Sequence, residues 1–384
     1  MNIENIVCDA EHLFTASQKV VKSSPNKYAT IMFKRKRLAE IRRAQEELRS
    51  RTWQITKMQP FTIHERGHRR KIIGNTPYDR MIIHSYLDFG LEPLLRKYLI
   101  HDNYASQVGK GTDLARMRFK DFLNRAYRQY GQRFYVLMID FAKFYDNVHH
   151  DKLKAAIMRK VPYDPFHEYM LDTILKSMET DVSHMTDEEY AACMETKYSA
   201  LAHIDDPRTG ERFMPKGLNI GNQGSQLFSI FYPSRIDTYL RCVMGFRLHG
   251  RYMDDTFIIH NEKERLREAV EDVKHIAGEM GMFVHETKTQ ITRADKGVKW
   301  LNRMYRVNDH GCVSERIVRA TITRERRKLK KFRGMLEDGT MDYGKIENQY
   351  LSWIGSFGRV MPAGQRQSMD ALYNTLFISD WRNT

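Results

Sequence analysis

Residues 248–260 read Leu248-His249-Gly250-Arg251-Tyr252-Met253-Asp254-Asp255-Thr256-Phe257-Ile258-Ile259-His260, and the rest of the chain is understood as a scaffold for the two acids at their centre. An aromatic and aliphatic run before the pair and a β-branched run after it spell a β-hairpin with a tight acidic turn. Adjacent carboxylates repel one another and lose hydration when partly buried, so they are stable together chiefly when a divalent cation neutralises them. An Asp-Asp pair taken alone is ordinarily just a turn. A further acid delivered to the same place separates the two readings.

The apolar run Phe134-Tyr-Val-Leu-Met-Ile ends in Asp140, the pattern of a buried strand presenting an acid to a cleft. Asp140 with Asp254 and Asp255 suits a two-metal site. One Mg2+ there lowers the pKa of an attacking 3′-hydroxyl and the other holds a triphosphate, which is nucleotidyl-transfer chemistry. Tyr145, five residues on, is placed to block a ribose 2′-hydroxyl, against the competing reading of a core aromatic. Lys288 can protonate a leaving group, although a lone lysine is more often simply solvated.

Composition narrows the class of protein. The chain has 384 residues, 41% of them hydrophobic, enough for a substantial core in two or three subdomains. A net charge of +15 and a pI near 9.5 call for a polyanionic partner such as nucleic acid, with a membrane surface as the alternative. No apolar run approaches the length of a membrane span, and Met1-Asn-Ile-Glu-Asn-Ile-Val lacks the basic start and apolar stretch of a secretory signal. A cytoplasmic location is therefore expected. Cys8, Cys193, Cys242 and Cys312 show no metal-finger or redox spacing and read as reduced thiols.

Charge is distributed unevenly. A helical pattern over 26–53 carries Lys34, Arg35, Lys36, Arg37, Arg42, Arg43, Arg49 and Arg51, a surface suited to backbone phosphates. Two short β-like runs from Phe61 to Gly74 flank a basic turn at Gly67, and His68, Arg69, Arg70 and Lys71 can close over a triphosphate. Helices are expected over 77–99, 112–130 and 262–280. Between 164 and 211, twelve acids face three bases, so this stretch should avoid phosphate and reads by default as a solvated insertion. Gly217-Leu-Asn-Ile-Gly221-Asn-Gln-Gly-Ser225-Gln226 is a glycine-rich loop entering an apolar helix, where Gly221 admits close approach and Ser225 and Gln226 can bond to template or nucleotide. Residues 315–335 are basic again.

Taken in order, these stretches resemble the palm of a reverse transcriptase, over about 60–360. Tyr252-Met-Asp-Asp is that family's catalytic hairpin motif. The resemblance implies an α+β right-hand polymerase with fingers, a palm on an antiparallel sheet, and a helical thumb. It places a basic helical extension at 1–59, fingers at 60–133, a palm at 134–305 with the acidic insert at about 164–211, and the thumb at 306–384.

The resemblance also implies individual roles: Asp254 as the direct metal ligand with Asp255 its neighbour, Phe141 supplying a backbone carbonyl, Tyr145 the sugar gate, Arg70 the main triphosphate contact, Lys288 the palm lysine. Trp300-Leu301-Asn302-Arg303 takes the place of the primer grip. The implied cofactor is a pair of Mg2+ ions, with Mn2+ substituting in vitro. The implied partners are an RNA template, a DNA primer or product and dNTPs, leaving open a non-coding RNA, an accessory protein or a homo-oligomer, with no membrane.

Ile220-Gly-Asn-Gln-Gly-Ser-Gln is similar to the loop of diversity-generating retroelement and bacterial defence reverse transcriptases, which copy a dedicated RNA. Ala105-Ser-Gln-Val stands where Gly-Phe-Arg-Pro is common, so Gln107 replaces an arginine contact. An RNA-dependent RNA polymerase, or an RNA-binding maturase-like protein with a vestigial palm, are the rival readings.

Overall fold

The structure is a computed structural model describing residues 2–56, 61–65, 68–72, 74–203, 206 and 209–378, with only the backbone described for 64, 65 and 68–71. Two compact units divide it: Met1–Ala115, Met138–Ile258 and Glu264–Gln290 form one, and Arg116–Leu137, Ile259–Lys263 and Ile291–Thr384 the other.

The first unit opens with helices Ile3–Val7, Ala10–Ser23 and Tyr28–Arg49. Asp9 caps the second by accepting from the Glu11 and His12 amides, satisfying donors a helix start leaves orphaned. Leu13, Ala16 and Val20 lie on its buried face. The N-terminal region is tied down by polar bonds as well: Ser85 Oγ donates to Val7 O at 2.8 Å and Gln45 Nε2 to Cys8 O at 2.8 Å. Asp79, fully buried, accepts from Trp53 Nε1 at 3.2 Å, the Thr56 amide at 3.2 Å and Thr76 Oγ1 at 2.6 Å. Several basic residues of Tyr28–Arg49 are occupied within the chain, Arg42 by Glu46 and Arg43 by Glu47.

Strands β1 Phe61–Glu65 and β2 His68–Ile72 form an antiparallel hairpin with Phe61 opposite Ile72. Strand β3, Tyr135–Ile139, ends one residue before Asp140. The pair β4 Thr180–Asp181 and β5 Phe213–Met214 is antiparallel. β6 His249–Tyr252 and β7 Asp255–His260 make the expected hairpin. With β8 Gln290–Arg293 these strands complete a four-stranded sheet in the order β6-β7-β3-β8, so the acidic hairpin and the strand leading to Asp140 are neighbours. In the second unit β9 Val298–Trp300, β10 Arg303–Val307 and β11 Val313–Ile317 form a sheet in the order β11-β10-β9. Helices Arg319–Glu337, Tyr343–Phe357 and Ala363–Phe377 bury Leu329, Ile346, Tyr350, Met369, Tyr373 and Phe377 in one cluster.

The acidic stretch is not uniformly a solvated insertion. Its first part is the helix Pro165–Lys176, which buries Phe166, Met170, Leu171, Ile174 and Leu175. The helix is amphipathic, so its acids occupy the solvent side while its apolar stripe belongs to the core. From β4 to β5 the described residues build a small cluster of their own, Val182, Met185, Tyr198 and Met214. No helix among the described residues is long and apolar enough to cross a membrane, and the four cysteines are free thiols.

Candidate active site

The register pairs Tyr252 with Asp255, leaving Met253 and Asp254 as a two-residue turn. Met253 has φ 55°, a left-handed conformation that costs a non-glycine residue about 1–2 kcal/mol. Arg251 holds the turn in place. Its side chain is 1% exposed and its partner Asp237 0%. Nε and Nη2 donate to the Asp237 carboxylate at 2.7 to 3.0 Å, Nη2 to Ile230 O at 2.7 Å, and Nη1 to Met253 O at 2.8 Å. One guanidinium thus fixes the turn's carbonyl to the helical segments behind it. Gly250 is required beside it, since a Cβ there would lie 2.9 Å from the Phe257 ring and 3.0 Å from Asp102 O. The segment at Asp102–Tyr104 runs along β6, accepting from Arg251 N at 2.9 Å and donating to Arg251 O at 3.0 Å. Gln107 turns back on this segment, donating to Asn103 O at 2.8 Å.

Asp140 is fixed by its own backbone. Its carbonyl accepts from His285 N at 2.7 Å and its amide donates to Thr289 Oγ1 at 3.4 Å. Oδ2 is buried and lacks hydrogen-bond geometry to any group, although Lys288 Nζ lies 3.0 Å away as an ion-pair partner. Burial pushes the Asp254 carboxyl above the usual carboxylate range and the charge of Asp140 pushes it further, while its own backbone N–H, Lys288 and Arg251 pull it back. The two acids therefore feel one another. Hard oxygen donors, one of them buried without a hydrogen bond, fit Mg2+, and Asp140 and Asp254 are the residues that would hold it. Asp140, Asp254 and Asp255 do not all bring a ligand oxygen within 4.8 Å of one another, and Asp255 belongs to β7.

Tyr145 follows a left-handed residue, Lys143 at φ 48°, and its hydroxyl reaches Ser229 Oγ at 3.4 Å and Met253 Sδ at 3.7 Å. The hydroxyl thus reaches the Met253 side chain of the acidic turn. Gly217, at φ 104°, brings the glycine-rich loop onto this turn of chain, where a Cβ would stand 3.4 Å from Tyr145 O. Asn222 caps the helix Gln223–Phe231 through the Gly224 amide at 2.8 Å. Gly221 and Gln226 line a cavity of about 130 Å³ together with Asn75, Arg80, His84 and Gln223. Ser225 is instead 1% exposed, with its hydroxyl 3.7 Å from Met178 Sδ, so of the two side chains expected at the helix start only that of Gln226 reaches the cavity. His68, Arg69, Arg70 and Lys71 lie on β2, but their side chains are outside the described residues, as is Gly67.

In the second unit Leu301 and Asn302 have φ 44° and 63°, the two positive values of a type I′ hairpin turn. Trp300 is buried against Phe119 at 4.9 Å, and Arg116 Nη2 donates to Leu301 O at 3.0 Å. Arg303 is buried, donating to Ser356 O at 2.7 Å and paired with Glu315 at 3.5 Å.

Arg251, Asp237, Arg80 and His84 were not legible as site residues. A lone arginine in an apolar strand was the available signal for the first, but its partner lies 14 residues away on a helix with no motif.

An antiparallel sheet carrying acids at the end of β3 and in the β6–β7 turn, among packed helices, is the α+β right-hand polymerase fold. The family model described as reverse transcriptase (RNA-dependent DNA polymerase) matches residues 63–303, and the chain belongs to that family. No curated protein matches it in sequence. Similar solved structures include apo telomerase from Candida Tropicalis, at 14% identity and TM-score 0.46 over 68% of this chain and 49% of that one. A form truncated from the C-terminal domain has 13% identity and TM-score 0.45 over 71% and 59%. The complex of telomerase from Candida Tropicalis with a TWJ fragment of telomeric RNA has 14% identity and TM-score 0.44 over 73% and 49%. The chain spans about half the length of these telomerase chains.

Two predictions follow from the electrostatics. Arg251→Met leaves the Asp237 carboxylate buried and uncompensated, so urea denaturation should show a loss of about 3–5 kcal/mol, and pairing it with Asp237→Leu should recover most of that. A loss within experimental error would contradict the anchoring role. Because folding raises the Asp254 pKa, ionisation costs the folded state stability above that value and nothing below the ordinary carboxylate value. Asp254→Asn should therefore melt higher than wild type at neutral pH in chelator, with the difference vanishing in acid; calorimetry showing a lower melting temperature at neutral pH would contradict this.

Proposed function

We propose that the chain is an RNA-directed DNA polymerase, extending a primer on an RNA template with dNTPs. The observation that carries this reading is that β3, which leads to Asp140 and its buried Oδ2, and β7, which leaves the Asp254 turn, are neighbours in one sheet. Asp140 and Asp254 act as the ligands, with the Phe141 carbonyl and Asp255 flanking them. When bound, two Mg2+ ions, or Mn2+ in vitro, supply activation of the primer 3′-hydroxyl and charge neutralisation of the triphosphate. Lys288, already at Asp140, is the proton donor to the leaving pyrophosphate. His68, Arg69, Arg70 and Lys71 grip the triphosphate from the β1–β2 hairpin, Gly221 and Gln226 frame the incoming nucleotide while the buried Ser225 supports the helix start behind them, and Tyr145 excludes a 2′-hydroxyl.

Trp300, Leu301, Asn302 and Arg303 form the primer grip. The exposed Arg324, Arg327 and Lys331 of helix Arg319–Glu337 supply sequence-independent phosphate contacts. Fingers at 60–133, palm at 134–305 and thumb at 306–384, preceded by the basic 1–59, remain the proposed division. The Ile220–Gln226 loop supports a bacterial enzyme copying a dedicated non-coding RNA in the cytoplasm, in a retroelement or an antiphage defence system, with an accessory protein or a second copy of the chain as further partners.

Primer extension on an RNA template tests the reading. Asp140→Asn and Asp254→Asn should each abolish synthesis while RNA binding by filter retention stays within about threefold of wild type, because they remove ligands and no phosphate contact. Template binding with no DNA synthesis by the wild-type chain would favour the maturase-like alternative, and preferential use of NTPs the RNA polymerase alternative. Tyr145→Ala should relax sugar selectivity, about tenfold or more in the ratio of dNTP to NTP kcat/KM, the range expected on losing one steric contact; unchanged selectivity would refute the gate.

A further inference from the structure

Within the acidic insert, three ligand-type side chains come together. His184 follows β4, His203 ends the short helix Ala200–His203, and Asp206 lies three residues beyond. His184 Nε2 is 3.1 Å from His203 Nδ1, His203 Nδ1 is 3.0 Å from Asp206 Oδ2, and His184 Nε2 is 3.0 Å from the same oxygen. The three atoms form a nearly equilateral triangle. Among the described residues this is the one group of three or more metal-type ligands so tightly gathered.

Hydrogen bonding leaves one edge of the triangle without a bond. With neutral rings, a proton on one nitrogen alone leaves the edge opposite it as a contact between lone pairs, and protons on both let each ring donate to Asp206 Oδ2 but leave no hydrogen bond along the 3.1 Å N···N edge. A cation seated about 1 Å out of the plane of the triangle lies at ligand distance from all three atoms at once. Ligand atoms about 2.0–2.1 Å from a tetrahedral Zn2+ stand about 3.3 Å apart, close to the edges observed. Two imidazoles and one carboxylate suit zinc or a neighbouring first-row divalent ion better than magnesium, which prefers an all-oxygen shell.

The surroundings favour the same reading. The His184 and His203 rings stack at 5.1 Å and His203 stacks on Tyr198 at 5.8 Å, which fixes their orientation. The ligand side chains are 21%, 26% and 38% exposed, so an ion can enter and a water can take the fourth position. Among the described residues the local cluster buries Val182, Met185, Tyr198 and Met214, with Tyr190, Cys193, Met194 and Ala200 packed against it, and a core that small gains order from a staple. Positive charge would also offset part of the acidic excess of this stretch.

We propose that His184, His203 and Asp206 form a zinc site that pins the 180–206 segment, separate from the proposed magnesium site. The test is titration of the chelator-stripped full chain with Zn2+ in excess Mg2+, followed by calorimetry. One equivalent should bind with submicromolar affinity. His184→Ala and His203→Ala should weaken it by at least about a hundredfold, no less than the loss typical of removing a supporting contact. Asp206→Asn, which keeps the side chain's shape, should weaken it in the same direction, while Asp254→Asn should leave it unchanged. On wild type, Zn2+ should slow amide hydrogen exchange chiefly within 180–206. Absence of stoichiometric binding, binding indifferent to the histidines, dependence on Asp254, or protection elsewhere would each overturn the proposal.

Discussion

Two carboxylates, one just past β3 and one in the turn that leads into its neighbour β7, repel each other, and the local structure around them is a means of holding them together regardless. Asp140 is fixed through its carbonyl and amide, so its position does not depend on the fate of its charge. Asp254 is fixed through the turn, which Arg251 clamps from behind with hydrogen bonds to the helical segments and to Met253 O. The resulting burial raises the pKa of Asp254. Strain is stored as both electrostatic repulsion and a left-handed methionine, and a divalent cation relieves the first of these.

This arrangement explains why the residues beside the acids have the character they do. Gly250 yields space to Phe257 and Asp102, and Met253 offers a soft sulfur to Tyr145 and Ser229. Lys288 partly neutralises Asp140. In the other unit a comparable economy holds at Leu301–Asn302, where two left-handed residues close a hairpin and buried Arg303 ties it to the helix Tyr343–Phe357.

The sequence was most readable where local pattern and tertiary role coincide. The hairpin at 249–260, the strand ending at Asp140, and the helices Thr112–Tyr130 and Lys263–Glu279 all carry strong periodicity or turn chemistry. It was least readable where contacts join distant segments: the Arg251–Asp237 pair, the Arg80 and His84 side chains beside the Gln226 cavity, and the burial of Ser225, whose hydroxyl looked available in a polar loop. The acidic stretch misled for a related reason, because net charge reports on the solvent face of Pro165–Lys176 and says nothing of its apolar stripe. His184, His203 and Asp206 do not form a sequence motif and meet only where the short helix Ala200–His203 brings His203 back to His184.

The central claim is that Asp140 and Asp254 share paired divalent cations. Crystals grown with Mn2+ and a non-hydrolysable dNTP test it through the anomalous scattering of the metal. The account predicts two peaks about 3.5–4 Å apart, both within ligand distance of the Asp140 and Asp254 carboxylates and of the triphosphate. A nucleotide bound in the palm with no manganese between these two acids would contradict it.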